Sequence, residues 1–311
     1  MSDNPRLKSV YQFNEIRGQR TLHPLVTVLD QSLSRPIKAE RMISELYIVF
    51  LKERLCGELS YGRNRYDYQE GTLVCIAPGQ TFGLESGDQL IQPYGWALAF
   101  HPDLIAGTRL GKIIRQYHFF YYSVNEGLHL SVQEREIVVD SFRKIQFELN
   151  HAIDTHSRTI LVSSIELFLN YCNRFYDRQF ITRDFFHKDK LSRLEEILED
   201  YLSSESLSQQ GLPTVAYLAS QFNLSANYFG DMVKKETGLS AKDYIIRKVI
   251  DVAKERVFHE DKTISEIAYE LGFRYPQHFS RLFKDFVGQS PIQYRNRNSH
   301  PGKGMPQLKT N

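Results

Sequence analysis

"FRYPQHFSRLFKDFVGQSP", residues 273–291, decides how the C-terminal part of this chain is read. Phe279, Leu282, Phe283 and Phe286 recur at i, i+3, i+4 and i+7, a spacing that stacks them on one face of a helix. Pro276 suits the first helical position and Gly288 the residue just past the end. Gln277, His278, Ser280, Arg281 and Lys284 are left for the other faces. The stretch predicts a short helix, held down by aromatics, that turns amide, imidazole and guanidinium groups outward.

The same pattern occurs twice. TVAYLASQFNLSANYFGDMVKKETGLSAKDYI (214–245) matches TISEIAYELGFRYPQHFSRLFKDFVGQSPIQY (263–294), with Val215, Ala219 and Phe222 offset by 49 from Ile264, Ala268 and Leu271. Past the turn the offset becomes 50, pairing Phe229, Gly238, Ser240 and Tyr244 with Phe279, Gly288, Ser290 and Tyr294. A single insertion at the turn is what two copies of helix, turn, helix would show. Thr263 and Glu266 make a capping box, Gly272 breaks the first helix of its copy, and Asn223 does so in the other. In a helix-turn-helix a first helix braces a second that enters the DNA major groove. Between the copies, SAKDYIIRKVIDVAKERVFH (240–259) predicts a spacer helix about 30 Å long, close to the roughly 34 Å between successive major-groove faces.

Bulk properties narrow the remaining classes. The chain has 311 residues, 41% hydrophobic and 24% charged, with a formal net charge of +2. It is long enough for two cores, and any nucleic-acid surface must be local. Residues 214–300 carry 13 basic against 10 acidic residues, so positive charge must be arranged rather than abundant. MSDNPRLKSV lacks the apolar centre of a secretion signal, and no run reaches membrane-span length. Cys56, Cys75 and Cys172 are odd in number and lack CxxC spacing, which argues against a disulfide framework or zinc ribbon. A cytoplasmic protein is expected.

The first 105 or so residues read as β structure, with strands at 24–30, 43–51, 72–77, 81–86 and 94–100 separated by turn residues. A helical period follows at 134–151, through Val138, Phe142, Ile145 and Leu149. In 157–176, Leu161, Ile165, Phe168, Cys172 and Phe175 step by 4, 3, 4, 3, the period of a coiled-coil seam. Ile160, Leu167 and Tyr171 form a second apolar stripe. The seam either joins two copies or is buried in its own domain. Residues 177–189 lack periodicity and read as a connector, 191–202 as an amphipathic helix and 203–213 as a polar loop.

At these motifs the chain resembles the AraC/XylS family of transcription regulators. ISEIAYELGF followed by HFSRLFKDFVGQSPIQYR is similar to that family's second-motif signature, and NYFGDMVKKETGLSAKDYI to its first. More loosely, APGQTFGLES, WALAFHPDL and LFLNYCNRFYDRQF look like a cupin-like sensor barrel followed by dimerising helices. The resemblance implies an α+β chain: a sensing and dimerisation domain at 1–176, a linker at 177–190, a DNA-binding domain at 191–298 and a disordered tail at 299–311. It implies promoter DNA, a small-molecule effector, a second copy of the chain and RNA polymerase as partners. It implies gene activation rather than enzymatic work, with no cofactor.

The expected DNA-facing residues of the second motif are Arg274, Tyr275, Gln277, His278, Arg281 and Lys284. Arg grips guanine and Gln adenine in bidentate fashion, whereas Arg274 and Lys284, at the ends, suit phosphates. In the first motif they are Ser225, Asn227, Tyr228, Asp231, Lys234 and Lys235. Asp231 departs from the basic residue often found there in the family, and a carboxylate beside phosphates is repelled. A plain solvated face would look the same in one copy; the repeat argues against it. In the N-terminal half Phe82, Tyr94 and Trp96 are candidates to line a ligand pocket, with core packing as the alternative. His23, His101, His118 and His129 are scattered without an HxH pair, so no metal site is expected, and HPD at 101–103 reads as a turn. Two other readings stay open: a cupin-type enzyme with an attached DNA-binding module, and a DNA binder whose N-terminal domain is only structural.

Overall fold

The computed structural model describes residues 5–38, 41–52, 71–83, 90–182, 184–204, 206–259 and 261–299. The expected tail at 299–311 lies outside the described residues beyond position 299, as does Cys56. The chain divides into two compact units, Met1–Arg183 and Asp184–Asn311.

The first unit runs β1 (Arg6–Leu7), α1 (Val10–Ile16), β2 (Val26–Asp30), β3 (Ile37–Lys38), β4 (Met42–Ser44), β5 (Tyr47–Lys52), β6 (Thr72–Ile76), β7 (Thr81–Phe82), β8 (Leu90–Ile91), β9 (Trp96–Phe100), α2 (Pro102–Ile105), α3 (Arg109–Ile113), β10 (Leu128–His129), α4 (Val132–Leu149) and α5 (Ser157–Thr182). Its main sheet has the order β10-β6-β5-β9-β2, all antiparallel, with Val49 facing Cys75 on one side and Leu98 on the other. A three-stranded sheet, β1-β4-β7, and the pair β3-β8 accompany it. Among the described residues β2 and β10 each have one strand neighbour in this sheet, so no closed barrel is formed there.

The central strands are buried on both faces. On one, Ile48, Ala97 and Ala99 meet Val10 and Phe13 of α1. On the other, Trp96 packs against Phe142 of α4, which packs on Phe168 of α5. Two-sided burial explains why YIVFLK and TLVCI are almost continuously apolar. Helix α1 was not expected in a stretch read as β. It is only seven residues long, started by Ser9, whose hydroxyl accepts from the Gln12 amide.

Four expectations need correction. Leu161, Ile165, Phe168, Cys172 and Phe175 are all buried inside the unit, because α4 and the sheet cover that face of α5. The seam therefore builds the unit's own core. Among the described residues α5 leaves Ile160 and Leu167 outside, the latter 53% exposed. Residues 177–182, expected in a connector, continue α5; Phe180 is buried and Arg178 makes a two-pronged bond to Glu134. The ligand candidates do not converge. Phe82 belongs to the α1 core and contacts Phe50, Tyr94 is exposed, and Trp96 borders a surface cleft of about 560 Å³ with Asp30, Arg135 and Arg143. HPD opens α2, a one-turn helix capped by the His101 ring, which accepts from the Asp103 amide.

The second unit is helical: α6 (Asp184–Ser203), α7 (Ser206–Gln210), α8 (Val215–Gln221), α9 (Ala226–Thr237), α10 (Ala241–Arg256), α11 (Ile264–Glu270), α12 (Pro276–Val287) and α13 (Pro291–Ser299). Helix α6 continues through residues expected in the linker, and α7 sits inside the expected polar loop, where Leu207 is buried. Helix α10 packs against α6, α9 and α12. It is fastened to α6 at Glu195, which accepts from the Tyr244 hydroxyl at 3.0 Å and the Lys248 ammonium at 2.7 Å. Arg295 of α13 donates to the carbonyls of Val257 and Lys262, holding the last helix against the end of α10.

Candidate nucleic-acid interface

The two copies of the repeat fold alike. Thr214 starts α8 and Thr263 starts α11, the latter with a full capping box to Glu266. Each helix ends in a left-handed residue, Asn223 at φ 54° and Gly272 at φ 75°. The amides just beyond reach back to equivalent carbonyls, Leu224 to Ala219 at 3.0 Å and Phe273 to Ala268 at 2.9 Å. Gly238 and Gly288 close α9 and α12, both left-handed, donating to the carbonyls of Lys234 and Lys284. These bonds satisfy the last carbonyls of each helix and fix its exit.

Helix α12 is anchored by Phe279 and Phe283, both fully buried. Phe279 lies 5.2 Å from the Phe273 ring, and Phe283 lies 5.5 Å from Tyr294. Gln277, Arg281 and Lys284, spaced by four and three, share the opposite, exposed side. His278 is also exposed, its ring edge-on to Phe273. Arg274 and Tyr275 precede the helix, both exposed, with the guanidinium 5.8 Å over the tyrosine ring. All six residues expected to face DNA here lie at the surface. Phe286, expected on the buried stripe, is 44% exposed.

Helix α9 differs. Asn227, Lys234 and Lys235 are exposed, while Ser225 and Asp231 are half-buried. Ser225 spends its hydroxyl as the cap, accepting from the Tyr228 amide. Tyr228 is only 2% exposed and is removed from the DNA-facing set. Its burial has a geometric cause. Tyr228 and Met232 form a second buried stripe beside Phe229 and Val233, and α9 packs on both α6 and α8. The position equivalent to Tyr228 in α12 is the exposed His278. Helix α9 is thus sunk deeper and offers a narrower outer face.

Charge also differs between the copies. Asp231 and Lys235 of α9 stand where α12 has Arg281 and Asp285, so the signs are reversed at equivalent positions. Helix α12 exposes Gln277, Arg281 and Lys284 together with the Asp285 carboxylate; α9 exposes Asn227, Lys234 and Lys235, with Asp231 half-buried. The spacer helix has 16 residues rather than 20, about 24 Å of rise, its remaining residues lying in turns at either end.

His23 accepts from the Leu25 amide, and His129 pairs with Thr72. Among the described residues no group of three or more His, Cys, Asp or Glu is placed to hold a metal ion, and no helix is long and apolar enough to cross a membrane. The deeper seating of α9 was not legible from the sequence, since it depends on which helices cover it.

Residues 218–297 match a family model described as a helix-turn-helix domain. The probable transcriptional regulator LumQ of Photobacterium leiognathi is 30% identical over 110 residues, 35% of this chain and 44% of LumQ. The HTH-type transcriptional activator RhaS of Salmonella arizonae is 33% identical over 106 residues, 34% of this chain and 36% of RhaS. The chain spans less than half the length of these relatives. Among solved structures, the C-terminal domain of the response regulator yesN from Fusobacterium nucleatum is 29% identical, covering 34% of this chain and 98% of that one, with a TM-score of 0.31. The second unit of this chain carries a helix-turn-helix domain.

Proposed function

We propose that the chain is a sequence-specific regulator of transcription that binds double-stranded promoter DNA through its second unit. One observation carries the reading: α12 buries Phe279 and Phe283 and turns Gln277, Arg281 and Lys284 to one exposed side. In this account Arg281 and Gln277 read bases, and Lys284 and Arg274 hold phosphates. Helix α9 enters an adjacent groove and contributes Asn227, Lys234 and Lys235 more weakly. The likeness to LumQ and RhaS, named as a regulator and an activator, supports the reading and a lean toward activation.

The first unit is assigned a cupin-like sensing and dimerisation role, answering a small effector by repositioning two copies on half-sites, in the cytoplasm and in contact with RNA polymerase. Ile160 and Leu167, exposed one heptad apart on α5, support a homodimer. The assigned work is binding, not catalysis. The test is a titration of purified protein against duplexes selected from its source genome. Saturable, sequence-dependent binding that weakens steeply with salt is expected; binding to all duplexes alike would refute the reading.

A further inference from the structure

Of the three aromatics expected at a ligand pocket, Trp96 does border a cleft. The cleft measures about 560 Å³, within the roughly 300–1,000 Å³ of small-molecule sites. Ala97 and Leu29 belong to the α1 core, so their neighbours Trp96 and Asp30 face the α4 side of the sheet. The two are ladder partners on β9 and β2, which sets their Cβ atoms about 4.5–5.5 Å apart. The indole meets Phe142 at 6.4 Å between ring centroids and is still only half-buried.

Asp30 is held in place. Its Oδ1 accepts from the Ser32 amide at 3.0 Å and the Ser32 hydroxyl at 2.6 Å, which leaves Oδ2 without a partner among the described residues. From α4 the cleft takes Val139, with Glu136 and Asp140 one turn apart beside it. Like charges at i and i+4 repel and weaken a helix. Asp140 has a cation at hand, Arg143 at 3.5 Å; Glu136 has none among the described residues. The Arg135 stem runs toward Gly71, its Cδ 3.9 Å from where a Cβ on that glycine would stand. The cleft thus joins a partly open indole to two carboxylates, Asp30 and Glu136, that no described cation meets.

We propose that this cleft binds a small organic cation, a primary ammonium with an apolar body. An ammonium has three N–H donors and no acceptor, and its hydrogen bonds to carboxylates are charge-assisted. Asp30 Oδ2 and Glu136 accept from it, and its body covers the open part of Trp96 and Val139. The indole face itself attracts a cation. An anionic ligand would instead meet three carboxylates, with Arg143 already drawn to Asp140. A neutral ligand of the same shape would displace water from the two open carboxylates and give them no counter-charge. The cleft lies within the first unit, and the site stands whether or not the chain regulates transcription.

The experiment uses the full chain without DNA. Trp96 is the single tryptophan, so its emission reports on the cleft directly. Phenethylammonium and hexylammonium are titrated at constant ionic strength. Each is compared with its neutral alcohol, 2-phenylethanol or 1-hexanol, and with its carboxylate, 3-phenylpropanoate or hexanoate. The ammonium compounds are expected to give a saturable change in emission, and the alcohols and carboxylates none. Asp30→Asn keeps an oxygen to accept from Ser32 and removes the charge; Glu136→Gln changes an exposed position. Each is expected to weaken ammonium binding by at least about tenfold, the size of one lost charge-assisted bond. No saturable change with either ammonium, an equal response from the alcohols, or binding of the carboxylates in their place would each overturn the site. So would unchanged affinity in Glu136→Gln or in a folded Asp30→Asn. Should Asp30→Asn fail to fold, Glu136→Gln decides. All of these readings are taken without DNA, so their failure is distinct from failure of the regulator reading.

Discussion

The backbone of Gly272 packs directly on that of Gly211. A Cβ at Gly272 would stand 2.9 Å from the Gly211 Cα and 2.5 Å from the Leu207 carbonyl oxygen. Gly272 also has φ 75°, where other residues are strained. The turn of the second helix-turn-helix is therefore pinned to the end of α7. Gly272→Ala is expected to cost at least about 2 kcal/mol, since neither the backbone clash nor the left-handed angle can relax alone. Gly230 is the control. It lies inside α9 with nothing within 4 Å of its Cβ position, so Gly230→Ala should stabilise by about 0.5–1 kcal/mol. Urea denaturation of the two variants checks both signs.

The Glu195 cluster gives a pH signature. Hydrogen bonds from Lys248 and Tyr244 hold the Glu195 carboxyl below the ordinary glutamate range. A carboxyl lowered in the folded state adds stability that is fully present above its unfolded pKa of about 4.3 and is lost as pH falls through the lowered folded value. Stability of the second unit should thus fall on acidification below about pH 4.3, and Glu195→Gln should flatten that fall. The pair is partly exposed, so the effect is modest. Circular dichroism melts across that range test it; an unchanged acid profile in Glu195→Gln would count against the fastening role.

Much of this was legible beforehand, and the reasons are local. Capping residues announce helix ends within a few positions, so Thr263, Glu266, Gly238 and Gly288 marked boundaries the structure keeps. The paired repeat located α9 and α12 for the same reason. What failed was whatever depends on a neighbour far away in sequence. Tyr228 sits on a helix face that looks outward until α6 and α8 are laid over it. The five seam residues of α5 keep a coiled-coil period, yet α4 occupies their face. Residues 177–182 lack an obvious stripe because Arg178 and Phe180 are held by Glu134 and the unit's core rather than by periodic partners.

Those two faces of α5 predict different failures. Ile165→Asp places a charge at a fully buried position and should cost several kcal/mol, unfolding the first unit. Leu167→Asp changes an exposed position and should leave the fold intact while dissociating the proposed dimer. Sedimentation velocity on Leu167→Asp separates the cases. A folded, still dimeric variant would move the interface elsewhere.

Scaffold and reader are separable within α12. Phe283→Ala should cost about 3–5 kcal/mol of folding stability, and DNA binding would be lost with the fold. Lys284→Ala should keep the fold, weaken specific and nonspecific duplexes about equally, and lower the salt slope by about one. The mixed face of α9 predicts asymmetry: Lys234→Ala should matter less than Lys284→Ala in the same fluorescence-anisotropy titration.

The central claim is that α12 reads bases, and one comparison reaches it most directly. Duplexes are selected from a randomised pool by the natural protein and by Arg281→Ala, and both proteins are titrated against the winning site. The account predicts a defined site for the natural protein. For Arg281→Ala it predicts a loss of about 1–3 kcal/mol on that site, with preference relaxed at one base pair. The same enriched site, bound with the same affinity by both proteins, would contradict it.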